Sequence, residues 1–222
     1  MANRTRPVTQ QIGRRTHRPG AGPANPLVEA AQHSVLDRAG HRVCLGQLFR
    51  ERRVILVFVR HFLCYTTKEY VEDLAKIPRS FLEDADVGLL VIGQSSHQHI
   101  EPFCCLTGYT HEIYVDPERE IYKVLGMKRG ETATTSAPSP HVKSSALSGN
   151  IKSIWRAMTG PAFDFQGDPA QQGGALIVGP GNAVHFLHYD MNKTDHMPIN
   201  SLLQLAGVET IDFTNKPRII EV

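Results

Sequence analysis

Cys64 occupies a position in the sequence from which a thiol could do chemistry. It follows an unbroken apolar run at residues 54–59, and an amphipathic helical pattern begins at or just after it. A thiol at a helix N-terminus faces unpaired N–H groups and the positive end of the helix dipole, and both favour the thiolate. Arg60, His61 and Lys68 lie near enough in the sequence to add positive charge. Because only the thiolate attacks disulfides or peroxides, this pattern predicts redox chemistry at Cys64, with a buried inert cysteine as the competing interpretation.

The other three cysteines are weaker candidates for chemistry. Adjacent Cys104 and Cys105 have Cα atoms only about 3.8 Å apart, which is too close for an unstrained disulfide. We expect them to pack in a helix, with a distant resolving thiol as the alternative, and we expect Cys44 to lie in the core. His97 and His99 precede the cysteine pair at a spacing that matches no standard zinc site. The sequence therefore predicts no metal ion and no bound cofactor.

The segments around Cys64 predict an α/β core that positions it. Apolar runs at residues 54–59 and 87–93 have no polar side, which predicts strands covered on both faces of a largely parallel sheet. A helix follows each of these strands, the second at residues 100–106, and this order implies right-handed crossovers. A third strand at residues 111–115 and a helix at residues 121–125 continue the same alternation.

The two ends of the chain complete the predicted sheet. Residues 34–37 and 42–45 predict a short strand, a turn and a second strand. Residues 174–178 and 184–188 flank a glycine-rich turn and predict an antiparallel hairpin, and a last helix starts near Pro198. Parallel units first, then a hairpin and a helix, is the order of a thioredoxin-like α/β fold with a mixed sheet.

Charge and composition suggest one domain behind a basic tail. We expect a disordered tail over residues 1–27, with a targeting segment as the alternative, and a folded domain over residues 28–222. The tail holds five arginines and no acid, so the rest of the chain carries 19 basic and 22 acidic residues. This balance does not predict the basic surface that binds nucleic acid. An irregular insertion is expected at about residues 127–169, with one helix at residues 151–158.

Hydropathy and cysteine content limit the location of the protein. No apolar run approaches the roughly 18 to 20 residues that a membrane span needs. Four cysteines without a secretory signal predict a reducing compartment, and we expect the cytoplasm.

Several segments resemble the peroxiredoxin-like 2 family, which is described as containing an AhpC/TSA antioxidant domain. The resemblance covers about residues 34–222 in order and implies a thioredoxin-like fold with a thiol redox site. It is carried by residues 60–65 with 68–74, 91–96, 107–109, 111–119, and 163–168 with 171–174.

The sequence around Cys64 (residues 60–68, the redox segment) departs from two related patterns. The family has Cys-x-x-Cys here, whereas this chain has Thr67 at the second position, which can hydrogen-bond a thiolate but cannot close a disulfide. True peroxiredoxins have Pro-x-x-x-Thr-x-x-Cys, and counting back from Cys64 places His61 and Val57 at the threonine and proline positions. A one-cysteine reductase or sensor remains consistent with these residues, whereas efficient peroxidase activity is not predicted.

The sequence predicts a thiol-dependent reductase or oxidant sensor that reacts through Cys64. Arg60 and His61 would activate the thiol electrostatically, and Thr67 would donate a hydrogen bond to it. The expected partner is a protein thiol reductant or a regulatory protein, not a nucleic acid or a membrane. The alternative is a non-enzymatic module on the same fold, which would act in redox-linked, growth or metabolic signalling through a protein partner.

Overall fold

A mixed seven-stranded sheet forms the centre of the protein. The structure is a computed structural model that describes residues 25–132, 137–143 and 167–213. In space the strands lie in the order β2-β1-β5-β4-β3-β6-β7. Their bounds are β1 Ser34–Leu36, β2 Arg42–Cys44, β3 Arg53–Phe58, β4 Val87–Gly93, β5 Glu112–Val115, β6 Gly174–Gly179 and β7 Ala183–Tyr189.

The three central strands are parallel, and the strands that flank them are antiparallel. β4 pairs in parallel with β3 and with β5, whereas β6 runs antiparallel to β3 and continues into β7. All seven residues of β4 and five of the six in β3 are buried, as their unbroken apolar sequences predicted. The predicted hairpin and the predicted strand-turn-strand at residues 34–45 are also confirmed.

Six α-helices lie among the described residues, on both faces of the sheet. α2, α4 and α6 pack on one face with the side chains of Ile55 and Val57, whereas α1 and α5 pack on the other with Leu56 and Phe58. This division follows from the two-residue period of β3, which sends successive side chains to opposite faces. The helices are α1 Pro26–Ala30, α2 Tyr65–Leu74, α3 Arg79–Asp84, α4 Ile100–Thr107, α5 Glu120–Val124 and α6 Ile199–Ala206.

Two of these helices differ from the sequence prediction. α1 begins at Pro26, inside the predicted tail, and its residue Leu27 is only 1% exposed. The folded region therefore starts earlier than residue 28, because Leu27 supplies core contacts that a tail residue would not. α3 was not predicted, since its short sequence follows Pro78 without a clear apolar stripe. Residues 1–24 and the predicted helix at residues 151–158 lie outside the described residues.

Part of the predicted insertion packs onto α2, the helix that directly follows Cys64. Glu69 and Asp73 are acidic residues of α2, but they are only 4% and 1% exposed. Residues 137–143 cover them: the Lys143 N–H donates to Glu69 Oε2 (2.8 Å), and His141 Nδ1 lies 2.8 Å from Asp73 Oδ2. Since His141 Nε2 accepts the N–H of Ile199 (3.0 Å), Nδ1 must be the donor to Asp73. This segment therefore ties α2 to the start of α6.

Candidate redox site at Cys64

Cys64 is the N-cap residue of α2, as the sequence predicted. Its backbone is extended (φ −82°, ψ 123°), and its carbonyl accepts the first helical hydrogen bond, from the Lys68 N–H (3.0 Å). The turn before it is closed by the Cys64 N–H, which donates to the carbonyl of His61 (2.9 Å). Cys64 is 6% exposed, so its thiol lies just beneath the surface at the carboxyl end of β3. The helix dipole acts directly on this position and favours a negative sulfur.

The Arg60 guanidinium lies against the sulfur. Arg60 Nη1 donates to Cys64 Sγ at 3.3 Å, Nε donates to the carbonyl of Gln171 at 3.4 Å, and Nη2 donates to the carbonyl of Pro169. Arg60 is 7% exposed, and within the described ranges no carboxylate pairs with it. A buried cation without a carboxylate is costly, and a thiolate at Cys64 would balance its charge. The structure thus brings Arg60 and Cys64 into contact, and activation of the thiol by Arg60 stays a prediction.

The hydroxyl beside the sulfur belongs to Thr66, not to Thr67. Thr66 Oγ1 lies 3.1 Å from Cys64 Sγ and can donate to a thiolate. Thr67 Oγ1 is buried and has no hydrogen-bond partner among the described residues. The predicted hydrogen bond from Thr67 is therefore wrong, and Thr66 makes the contact with the sulfur instead.

His61 is uncharged at neutral pH in this structure. Burial, with a smaller effect of the neighbouring Arg60 charge, lowers the pKa of His61 from 6.5 to about 4. The sequence suggested His61 as a second electrostatic activator, but a neutral imidazole adds no positive charge. Lys68 also points its charge elsewhere, since its ammonium pairs with Glu72 along α2. Arg60 is thus the cationic side chain in contact with the sulfur among the residues described.

The histidines whose pKa is lowered should make the fold less stable in mild acid. His61 stays neutral in the folded chain below pH 6.5, whereas the unfolded chain takes up the proton, so stability present above pH 6.5 is lost towards pH 4. The shift of His61 alone corresponds to up to about 3 kcal/mol. Burial also lowers the pKa of His111 and of His141. His188 opposes the trend, because its interactions with Asp190 and Asp195 together outweigh burial and raise its pKa.

Urea unfolding at pH 7.5 and pH 5.0 measures this effect. We expect a lower free energy of unfolding at pH 5.0, and a smaller difference between the two pH values in His61→Gln. His185→Gln is the matched control, because His185 is exposed on β7. An unchanged pH difference in His61→Gln would show that His61 is not held neutral by burial.

Aromatic packing fixes the loop between β3 and Cys64. The Phe62 ring stacks on Phe103 of α4, with centroids 4.2 Å apart, and the Phe62 N–H donates to Ser95 Oγ (3.1 Å). Gly93 ends β4 directly beneath this ring, and a Cβ added there would lie 2.5 Å from it. The loop is therefore fastened to the end of the neighbouring strand, which holds Cys64 and Arg60 in register.

The remaining cysteines lie in settings that differ from that of Cys64. Cys44 Sγ donates to the carbonyl of Ala31 (3.0 Å), and burial raises the pKa of Cys104 despite the nearby Arg38 charge. Cys105 is exposed on α4, and all four thiols are free. The distant resolving role suggested for the adjacent pair stays a prediction. Within the described part of the chain, no cluster of three or more His, Cys, Asp or Glu is arranged to hold a metal ion, and no helix is long and apolar enough to cross a membrane.

Comparison with known proteins places the chain in a family. Residues 73–192, more than half of the chain, match the family model described as AhpC/TSA antioxidant enzyme. The chain is 66% identical over 221 residues to Peroxiredoxin-like 2C of Bos taurus, covering 97% of each chain. It is 65% identical over 221 residues to Peroxiredoxin-like 2C of Homo sapiens, covering 97% of this chain and 98% of that one.

Solved structures show the same fold at low sequence identity. Peroxidoxin BcpB from Mycobacterium tuberculosis aligns with a TM-score of 0.52 and 9% identity, over 78% of this chain and 88% of that one. The predicted thioredoxin-like α/β fold is therefore confirmed. The family model begins after Cys64, so the role of this thiol depends on its geometry. With relatives that match nearly its full length, the chain belongs to the peroxiredoxin-like 2 family of AhpC/TSA antioxidant proteins.

Proposed function

We propose that this protein is a thiol redox protein, a reductase or an oxidant sensor, in which Cys64 is the nucleophile. The observation that carries the proposal is the 3.3 Å contact between Arg60 Nη1 and Cys64 Sγ at the N-terminus of α2. A buried guanidinium, the Thr66 hydroxyl and the helix dipole all favour a negative sulfur at this point. Family membership supports redox chemistry of this general kind.

The proposed reaction of Cys64 with a peroxide needs only the thiolate, the peroxide and a proton. The Cys64 thiolate attacks one peroxide oxygen, a sulfur–oxygen bond forms, and the oxygen–oxygen bond breaks. The departing oxygen takes a proton and leaves as water or an alcohol, so sulfur loses two electrons and the peroxide gains them. Arg60 and Thr66 would stabilise the negative charge as it moves from the sulfur to the departing oxygen.

The oxidised cysteine needs an external reductant in this scheme. Thr67 occupies the position of the second cysteine and cannot form a disulfide. A partner thiolate would attack the Cys64 sulfenic acid, releasing water and forming a mixed disulfide, and a second thiol would then restore Cys64. We propose a protein thiol reductant as this partner and the cytoplasm as the place, since such thiols are kept reduced there.

Trapping of the sulfenic acid tests the proposal. Full-length protein is treated with low hydrogen peroxide in the presence of dimedone, and labelled peptides are identified by mass. We expect rapid labelling at Cys64, complete loss of that label in Cys64→Ser, and no effect of Cys105→Ser on labelling at Cys64. Cys105 is the matched control because it is an exposed thiol on the same domain. Labelling of Cys64 no faster than of Cys105 would overturn the redox assignment.

A non-enzymatic regulatory module is the second candidate. The near-complete burial of Cys64 and the threonine at position 67 favour it, since both hinder turnover with large disulfide substrates. In that case a protein partner would bind the fold, and the Cys64→Ser variant would keep its cellular effect. Loss of the effect in Cys64→Ser would instead favour chemistry at the thiol.

A further inference from the structure

Arg60 is aimed at the sulfur by a loop from a distant part of the chain. Two of its three donating nitrogens bond to backbone carbonyls, those of Pro169 and Gln171, and the third points at Cys64 Sγ. The chain around residues 168–172 lies more than 100 residues further along the sequence. Because the guanidinium is planar and rigid, the positions of these two carbonyls determine where Nη1 points.

Gln94 fixes that loop through a reciprocal pair of hydrogen bonds. Gln94 Oε1 accepts the N–H of Asp168 (2.9 Å), and its Nε2 donates to the carbonyl of the same residue (3.1 Å). Gln94 follows β4 directly and is fully buried. Gly167, at φ 132°, passes the Gln94 side chain so closely that an added Cβ would lie 3.2 Å from Oε1. This arrangement sets the register of the loop against the central sheet.

The Asp168 side chain holds the next turn of the same loop. Asp168 Oδ1 accepts the N–H of Ala170 (2.9 Å), and Oδ2 accepts bonds from Arg119 Nη1 (3.0 Å) and from Arg129 Nε. The Asp168 carbonyl also accepts the N–H of Gln171 (3.0 Å). These bonds lie immediately beside the two carbonyls that hold the Arg60 guanidinium. The loop is thus held on one side by the sheet and on the other by two arginines.

We infer that Gln94 and Asp168 are positioning residues that set the reactivity of Cys64 by holding the carbonyls that aim Arg60. Neither side chain bonds to the sulfur, so both act through Arg60. The inference rests on the proposed function, because it concerns the reactivity of the same thiol. It predicts that loss of the Gln94 amide loosens the loop, lengthens the contact between Arg60 and the sulfur, and makes the thiolate less favoured.

The rate of Cys64 alkylation across pH measures this coupling. Full-length protein is treated with iodoacetamide from pH 5.5 to pH 9, and modification of the Cys64 peptide is followed by mass. We expect Gln94→Ala to slow alkylation at pH 6 about three- to tenfold and to move the profile to higher pH. Gln32→Ala is the matched control, because Gln32 is an exposed glutamine far along the chain from the loop, and its profile should not move.

A double-mutant cycle separates positioning from general loosening of the structure. If Gln94 acts through Arg60, Gln94→Ala should cause little further loss in an Arg60→Met background. Equal additional loss in that background would overturn the inference, since it would show an effect that does not pass through Arg60. If Gln94→Ala fails to fold, Asp168→Asn takes its place, because it keeps the side-chain size while weakening the bonds to Arg119 and Arg129.

The outcomes distinguish this inference from the proposed function. A wild-type Cys64 that alkylates no faster at pH 6 than the exposed Cys105 would defeat the proposed function and the inference with it. A fast wild-type Cys64 that is unaffected by both Gln94→Ala and Asp168→Asn would defeat only the inference. A fast Cys64 that slows in these variants, without further loss beyond Arg60→Met, supports both.

Discussion

Replacing Arg60 with methionine is expected to slow peroxide oxidation of Cys64 by at least about tenfold at pH 7. Methionine keeps most of the side-chain length and removes the charge that lies 3.3 Å from Sγ. A guanidinium in contact with the sulfur stabilises negative charge on the attacking atom, and methionine cannot do so. The Thr66 hydroxyl and the helix dipole remain, so some reactivity should persist.

Protein stability is not expected to account for this loss. Removal of a buried charge that no carboxylate among the described residues pairs with also removes the cost of taking that charge out of water. The carbonyls of Pro169 and Gln171 would lose a donor, at about 1–3 kcal/mol each if they stay buried without one. The oxidation rate is measured by stopped-flow or dimedone trapping. Thermal unfolding of Arg60→Met is measured beside it to show that the variant is folded. The rate should fall even where the variant is fully folded.

Lysine at position 60 is the matched variant for charge. Arg60→Lys keeps a cation on a shorter, non-planar group, which cannot bond to the sulfur and to both carbonyls together. We expect an oxidation rate between those of the wild type and Arg60→Met. Equal rates in all three proteins would show that Arg60 does not activate the thiol, whatever its distance from the sulfur.

Local sequence patterns were sufficient to predict the position of Cys64. An apolar strand followed directly by an amphipathic helix places a residue at their junction, and the structure has Cys64 as the N-cap of α2. The pattern could not decide between Thr66 and Thr67. Successive helical residues differ in direction by about 100°, so the choice depends on the residue at which the helix starts. An assignment of helix boundaries from sequence is uncertain by more than that single residue.

Contacts between distant segments were the part that the sequence did not predict. Glu69 and Asp73 have the spacing of a solvent-facing stripe, yet residues 137–143 cover them. Likewise, the sequence distinguishes Gln94, Asp168 and Gln171 only by their family resemblance, although they determine where Arg60 points. Helical periodicity describes the faces of one element and carries no information on which remote segment covers a face. The charge state of His61 has the same origin, since its burial depends on the folded surroundings.

Replacing Gly173 with alanine is expected to destabilise the fold by at least about 3 kcal/mol. A Cβ at Gly173 would overlap the carbonyl oxygen of Phe58, a backbone atom at the end of β3. Neither backbone can move aside, because Phe58 pairs with Gly174 and the Gly173 carbonyl accepts the Asp190 N–H (3.1 Å). The strain would fall two residues before Arg60, so Cys64 should also become less reactive. Urea unfolding at pH 7.5 gives the loss of stability.

Gly181→Ala provides the comparison that isolates this close approach. Gly181 lies in the hairpin turn with a φ of 72° and no atoms within 4 Å of an added Cβ. Alanine there should lower the free energy of unfolding by only about 1 kcal/mol, because of the strain of a left-handed backbone conformation. If both substitutions lower the free energy of unfolding equally, overlap with Phe58 is not the reason for glycine at position 173. A much larger cost at Gly173 would show that the redox segment depends on backbone contact between β3 and the start of β6, which leaves no room for a side chain.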